Sequence, residues 1–159
     1  MSRRNKIDPK LAANTLRVLA ASAITKAKSG HPGIALGAAD IMYELFANQM
    51  NTCPTNLEYI NRDRFVLSAG HGSSLLYATM LLCGYKGIYM SDLKNFRQID
   101  SKTPGHPEPY ALRGVEVASG PLGQGIAMAV GLALGMGYIY LAGCVTLVGS
   151  LAIVIFSKV

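Results

Sequence analysis

Each of the three histidines in the chain follows a glycine: His31 in SGHPG, His71 in AGHGSS and His106 in PGHPE. Glycine permits dihedrals that other residues avoid, and proline fixes its own φ. A ring on such a turn projects over open space. Imidazoles donate hydrogen bonds to anionic or carbonyl oxygens and move protons near neutral pH. Three of them in one cleft would hold a polyhydroxylated or phosphorylated ligand. Taken singly, each reads as a loop histidine bonding a nearby carbonyl; taken together, they favour a site. Zinc ligation is the weaker alternative, because the rings are far apart in sequence and show no short, regular ligand spacing.

The elements that must carry these turns follow from periodicity and punctuation. Asp8 and Pro9 read as an N-cap and first helical position. Leu16, Ala20, Ala23, Ile24 and Ala27 recur at helical spacing, and Gly30 ends the run. A second helix is expected over 38–50 and a loop over 53–61. DRFVLS, residues 63–68, reads as a short buried strand running into AGHGSS. A helix follows over 73–83, closed by Gly84. Ligands of open α/β sheets bind at such strand–turn–helix junctions. A short helix is expected over 91–98, then a long irregular stretch, 99–117, of the kind that is usually functional. SGPLGQG, residues 119–125, opens a helix of small residues. It is only loosely like a phosphate loop, being neither Gly-x-Gly-x-x-Gly nor a Walker sequence. Glu116, just before it, is either a buried paired carboxylate or a surface residue. The β-branched run 144–156 suits a central parallel strand buried on both faces.

The chain has 159 residues, half of them hydrophobic, so it is one domain or part of one. The net charge of +6 favours anionic partners. The basic residues form no long run and do not interleave with aromatics, so no nucleic-acid partner is expected. Cys53, Cys83 and Cys144 are odd in number and widely spaced, as for reduced thiols in a cytoplasmic protein. The basic start is followed by no apolar h-region, so no cleaved signal peptide is expected. From Val117 to Ser157 no residue is charged, and Gly131 and Gly135 form a Gly-x-x-x-Gly pair. That stretch could span a bilayer, although helix plus central strand accounts for the same residues.

Several stretches, in this order and spacing, resemble the transketolase family: KAKSGHPG, ADIMYELF, NRDRFVLSAGHGSSLLYATMLLCGY, LKNFRQIDSKTPGHPE and GVEVASGPLGQGIAMAVGLALG. They run almost unbroken from Leu11 to Gly135. The resemblance implies a doubly wound parallel α/β sheet with flanking helices, in a domain that binds thiamine diphosphate. It implies transfer of a two-carbon ketol unit from a ketose phosphate to an aldose phosphate, with the cofactor as electron sink and Mg²⁺ as its anchor. It further implies a homodimer or complementary subunit. By this resemblance His31 and His106 act on the substrate, His31 on its oxygens and His106 on proton movement. His71 touches the cofactor diphosphate, and Gly120, Pro121 and Leu122 line the thiamine.

The family's Gly-Asp-Gly metal motif is absent. GMGYIY leads directly into LAGCVTLVGSLAIVIF. A missing segment is therefore expected at Tyr140–Leu141, with no metal ligand left in this chain. The whole of 1–159 reads as a single partial domain, an incomplete part of the enzyme. The alternative is a non-catalytic binding module that keeps the fold.

Overall fold

The structure is a computed structural model. It describes the backbone of residues 7–140, 143–146 and 153–158, and side chains over 7–135. Helix α1 (Pro9–Ala27) starts where Asp8 and Pro9 predict, and Asp8 Oδ1 accepts from the Lys10 N–H at 3.1 Å. Ala13, Leu16, Ala20 and Ala23 form its buried stripe. The helix ends on Lys28 at φ 52, whose N–H donates to the Ile24 and Thr25 carbonyls. Gly30 follows at φ +145, with the Ile24 side chain 2.8 Å from where a Cβ would stand. The turn before His31 therefore requires glycine there.

The helix expected over 38–50 divides. Helix α3 (Ala39–Glu44) continues into a π-helical turn, Leu45–Gln49. A short helix, α2 (Pro32–Gly37), precedes it and was not expected from the pattern. Its two glycines lower helix propensity, while Pro32 at its first position favours a helix start. Strand β1 (Arg64–Leu67) leads through a 3-10 turn, Gly70–Gly72, into helix α4 (Ser73–Leu82). Every residue of α4 from Ser73 to Met80 is buried, and the helix packs against α1. Phe46 meets Phe65 edge-on, with ring centroids 5.0 Å apart, which joins the π turn to β1. Helix α5 (Met90–Lys94) is shorter than expected, and α6 (Gln124–Tyr140) follows the irregular stretch.

The sheet corrects the expectation of parallel strands. The run 144–156 forms two strands, β2 (Gly143–Thr146) and β3 (Ile153–Lys158). The order is β1-β3-β2 and both pairings are antiparallel, with Val66 opposite Val154 and Val145 opposite Phe156. Residues 147–152 are too few for a parallel crossover, which takes a dozen or more. Leu141 lies outside the described residues, as does the junction expected there. Among the described residues no helix is long and apolar enough to cross a membrane.

The core lies between α1, α3 and α4 and extends to Phe96, Leu112 and Val115. Leu75 is 1 % exposed at its centre. Leu75→Ala is expected to cost about 2–5 kcal/mol through lost burial and the cavity left behind. Chemical denaturation measures this, and a loss under 1 kcal/mol would contradict the packing.

Candidate functional site

The three histidine turns converge beyond the carboxyl end of β1. His31 is the N-cap residue of α2, extended at φ −121 and ψ 99, as the following proline demands. His71 sits in the 3-10 turn between β1 and α4. Their ring centroids are 5.0 Å apart in an edge-to-face arrangement. The 3-10 turn and α2 are in direct contact, Gly72 lying against Ile34.

His106 belongs to the long irregular stretch, whose backbone is bonded to α4 in two places. Ser73 Oγ donates to the Gly105 carbonyl at 2.7 Å, and the Tyr77 hydroxyl donates to the His106 carbonyl at 3.3 Å. Burial pushes the Tyr77 phenol far above its usual range, so it stays a donor. The Ser119 N–H donates to the Pro107 carbonyl at 3.3 Å. His106 Cγ then lies 3.8 Å from where a Cβ on Gly120 would stand.

The Gly-Pro-Leu turn is fixed from behind. Ser119 Oγ donates to the Leu67 carbonyl at 2.7 Å. A Cβ on Gly70 would fall 1.5 Å from the Ser119 carbonyl oxygen. Only glycine admits this approach of two backbones. Pro121 and Leu122 face outward, Leu122 with 75 % of its surface exposed. The structure thus brings together His31, His71, His106 and the turn Gly120–Leu122.

The sequence pattern did not single out Arg97. It lines a cavity of about 400 Å³ with Ser29, Gly105 and His106. It sits at φ 60, its N–H donates to the Thr103 carbonyl and its Nη1 donates to Ser29 Oγ at 2.7 Å. Its buried Nε has no partner among the described residues. The available signal was position: an arginine nine residues before His106, in a long loop.

The electrostatics favour an anion. His71 is held below the usual imidazole value near 6.5, first by burial and then by the charges of His31 and His106. No group of three His, Cys, Asp or Glu side chains among the described residues could hold a metal ion. Three imidazoles beside an arginine fit an oxygen-rich anion; they do not fit Mg²⁺, which takes oxygen ligands.

Comparison with known proteins shows the family. The family described as transketolase, thiamine diphosphate binding domain, matches residues 8–140. The chain belongs to this family. It is 60 % identical over 124 residues to the transketolase of Geobacillus stearothermophilus, covering 78 % of this chain and 18 % of that one. Against the transketolase of Nostoc the identity is 56 %, with the same coverage. The structure superposes on the transketolase from Leishmania mexicana with a TM-score of 0.83 and 45 % identity, covering 86 % of this chain and 20 % of that one. For the Campylobacter jejuni transketolase the TM-score is 0.75 and the identity 54 %, over 79 % and 19 % of the two chains. The chain spans less than a fifth of the length of these curated relatives.

Two outcomes follow from the site's construction. Histidine ring titrations by NMR should place His71 below 6.5, and His31→Ala should move it part of the way back, because burial remains. A folded value below the unfolded one means that the unfolded chain binds more protons at this ring. Its stabilising contribution is therefore present above about pH 6.5 and is lost as pH falls through the folded value. Gly70→Ala should unfold the chain or displace the Gly-Pro-Leu turn. Unchanged thermal stability and an unchanged Gly120 amide resonance would contradict the close approach.

Proposed function

We propose that the chain is the diphosphate-binding part of a transketolase. In that role it works as a homodimer or with a complementary subunit. The observation that carries this reading is the gathering of three imidazoles over the carboxyl end of β1, beside the Gly120–Leu122 turn. On this reading 1–159 is a single partial domain working in the cytoplasm, where Cys53 and Cys83 stay reduced. β1 then belongs to the doubly wound parallel sheet of the longer protein; the Leu67–Ser73 junction supports that, and the antiparallel pairing with β3 stands against it here.

Bound thiamine diphosphate supplies the electron sink that lets a ketose phosphate release its two-carbon unit to an aldose phosphate. The chain's residues do the rest. His71 donates to the diphosphate oxygens at the junction of β1 and α4. Gly120, Pro121 and Leu122 form the wall against which the thiamine lies, and outward-facing Leu122 gives that wall an apolar surface. His31 donates to the substrate's oxygens. His106, exposed and held by its backbone, accepts and returns a proton at a substrate hydroxyl. Arg97 brings its positive charge to the wall of the adjoining cavity, where a substrate phosphate would lie. The magnesium implied by family membership has no ligand set among the described residues, and no step runs through it.

A second reading, a binding module without catalysis, draws on that same missing ligand set and on the absent Gly-Asp-Gly motif. Calorimetry with thiamine diphosphate separates the two, run with and without Mg²⁺ and with and without a complementary transketolase chain. Binding in any arm, weakened at least tenfold by His71→Ala, supports the first reading. In the complemented enzyme, His106→Ala is expected to lower kcat/KM by about 10²–10⁴, the range of a lost acid–base group. No binding in any arm selects the module.

A further inference from the structure

Helix α6 and the Gly-Pro-Leu turn are reached through a short segment, Glu116 to Ser119, that runs beside β1 in the same direction. At its start, Glu116 Oε1 meets Arg62 Nη1 at 2.5 Å, and Oε2 faces Arg64 Nε at 3.9 Å. The side chains of Arg62 and Glu116 are only 7 % and 12 % exposed. Arg62 is itself anchored, its Nε donating to the Leu57 carbonyl at 2.8 Å. In the middle, Val117 packs on Val66 and Ala129. At its end, Ser119 Oγ reaches the Leu67 carbonyl. Among the described residues the segment pairs with no strand and its backbone bends at Val117, so its place is set by the bonds at its two ends.

We propose that Glu116 is a positioning residue of the site: clamped by Arg62 and Arg64 at the amino end of β1, it sets the register at which the Gly120–Leu122 turn reaches His106. This rests on reading the site as a thiamine diphosphate pocket. The Val117–Val66 contact tolerates sliding, since apolar contacts are non-directional. A buried carboxylate hydrogen-bonded to the Arg62 guanidinium, with the Arg64 charge 3.9 Å from its other oxygen, does not. A shift of the segment by one residue's length, about 3.3 Å, is comparable with the 3.8 Å between His106 Cγ and the place where a Cβ on Gly120 would stand. A buried ion pair contributes little net stability against apolar replacements of similar size, and its attested use is to specify register. Removing one partner alone leaves an uncompensated buried charge, so the test needs both a single and a double variant.

The full chain, labelled with ¹⁵N and at histidine Cε1, is compared with Glu116→Gln and with Arg62→Met/Glu116→Leu. In Glu116→Gln the Ser119 amide, which donates to the Pro107 carbonyl, should exchange at least tenfold faster, and the Gly120 amide and His106 ring resonances should move. The Ala78 and Met80 amides of α4 should keep their protection. The double variant should regain the parental thermal midpoint without regaining the Ser119 protection or the His106 resonance. Thiamine diphosphate with Mg²⁺ should bind both variants about tenfold more weakly than the parent. A double variant with parental Gly120 and His106 signals would overturn the proposal, since packing alone would then set the register. Equal cofactor affinity in parent and variants would overturn it too. If no form binds the cofactor while the NMR differences hold, the ligand assignment fails and the positioning role stands.

Discussion

The approach of the Ser119 carbonyl to Gly70 is the contact on which the site depends. Two backbone segments from distant parts of the chain meet where any side chain would intervene. One segment carries His71 into α4; the other carries Gly120 into α6. Because both are backbone, the distance between the His71 turn and the Gly-Pro-Leu turn cannot be adjusted by a rotamer change. The hydrogen bond from Ser119 Oγ to the Leu67 carbonyl closes the same junction from the strand side. The remaining histidines are then placed by what these two turns touch. Ile34 on α2 meets Gly72, which sets His31, and the Pro107 carbonyl accepts from Ser119, which sets the His106 loop. The helices bury the core, yet the pocket is built from loop backbone held by a few directional bonds. That division is usual where rigid elements support functional loops.

Much of this was legible in the sequence, because local signals and tertiary structure agree along most of the chain. Asp8-Pro9 capped α1, the buried run 63–68 contained β1, and the glycines around His71 marked the turn into α4. Two places were not legible, for different reasons. The helix over 38–50 broke into a normal and a π-helical turn because Phe46 must face Phe65, and such widening is a packing response with no local code. The apolar run 144–156 has the composition of a buried parallel strand, and composition does not distinguish pairing direction. Residues 147–152 are too short for a crossover, and that length decides the direction. At the site, the histidines were visible because Gly and Pro punctuate them. Arg97 was not, because an arginine in a polar loop has no local mark, and its orphaned Nε exists only in three dimensions.

Glu116 shows how an ambiguous residue is resolved by its surroundings. In sequence it was equally a surface acid or a buried pair. The structure surrounds it with Arg62 and Arg64, one on either side of the buried Asp63, which itself accepts from the Asn51 N–H at 2.7 Å. Four charges therefore sit at the amino end of β1. Such clusters are costly to assemble and are stable only when every member is bonded. Placing this one at the end of β1 remote from the histidines keeps its fields away from the pocket.

The consequence for chemistry is a pocket whose polarity has one sign. The charges that act on His71 are those of His31 and His106, and like charges disfavour protonation of all three together. His71 is thereby biased toward neutral imidazole, with nitrogens that can donate or accept. An incoming anion reverses that balance, because negative charge beside an imidazole favours its protonated form. Binding a phosphorylated ligand should then draw protons into the pocket, and the rings that hold the ligand are the ones able to take them up. Proton affinity and ligand affinity are thereby linked at the same atoms, which is what a group that shuttles protons to a bound sugar requires. Were a carboxylate paired with His71, the imidazole would be charged before any ligand arrived, and the acid–base capacity of the cluster would be spent on the protein itself.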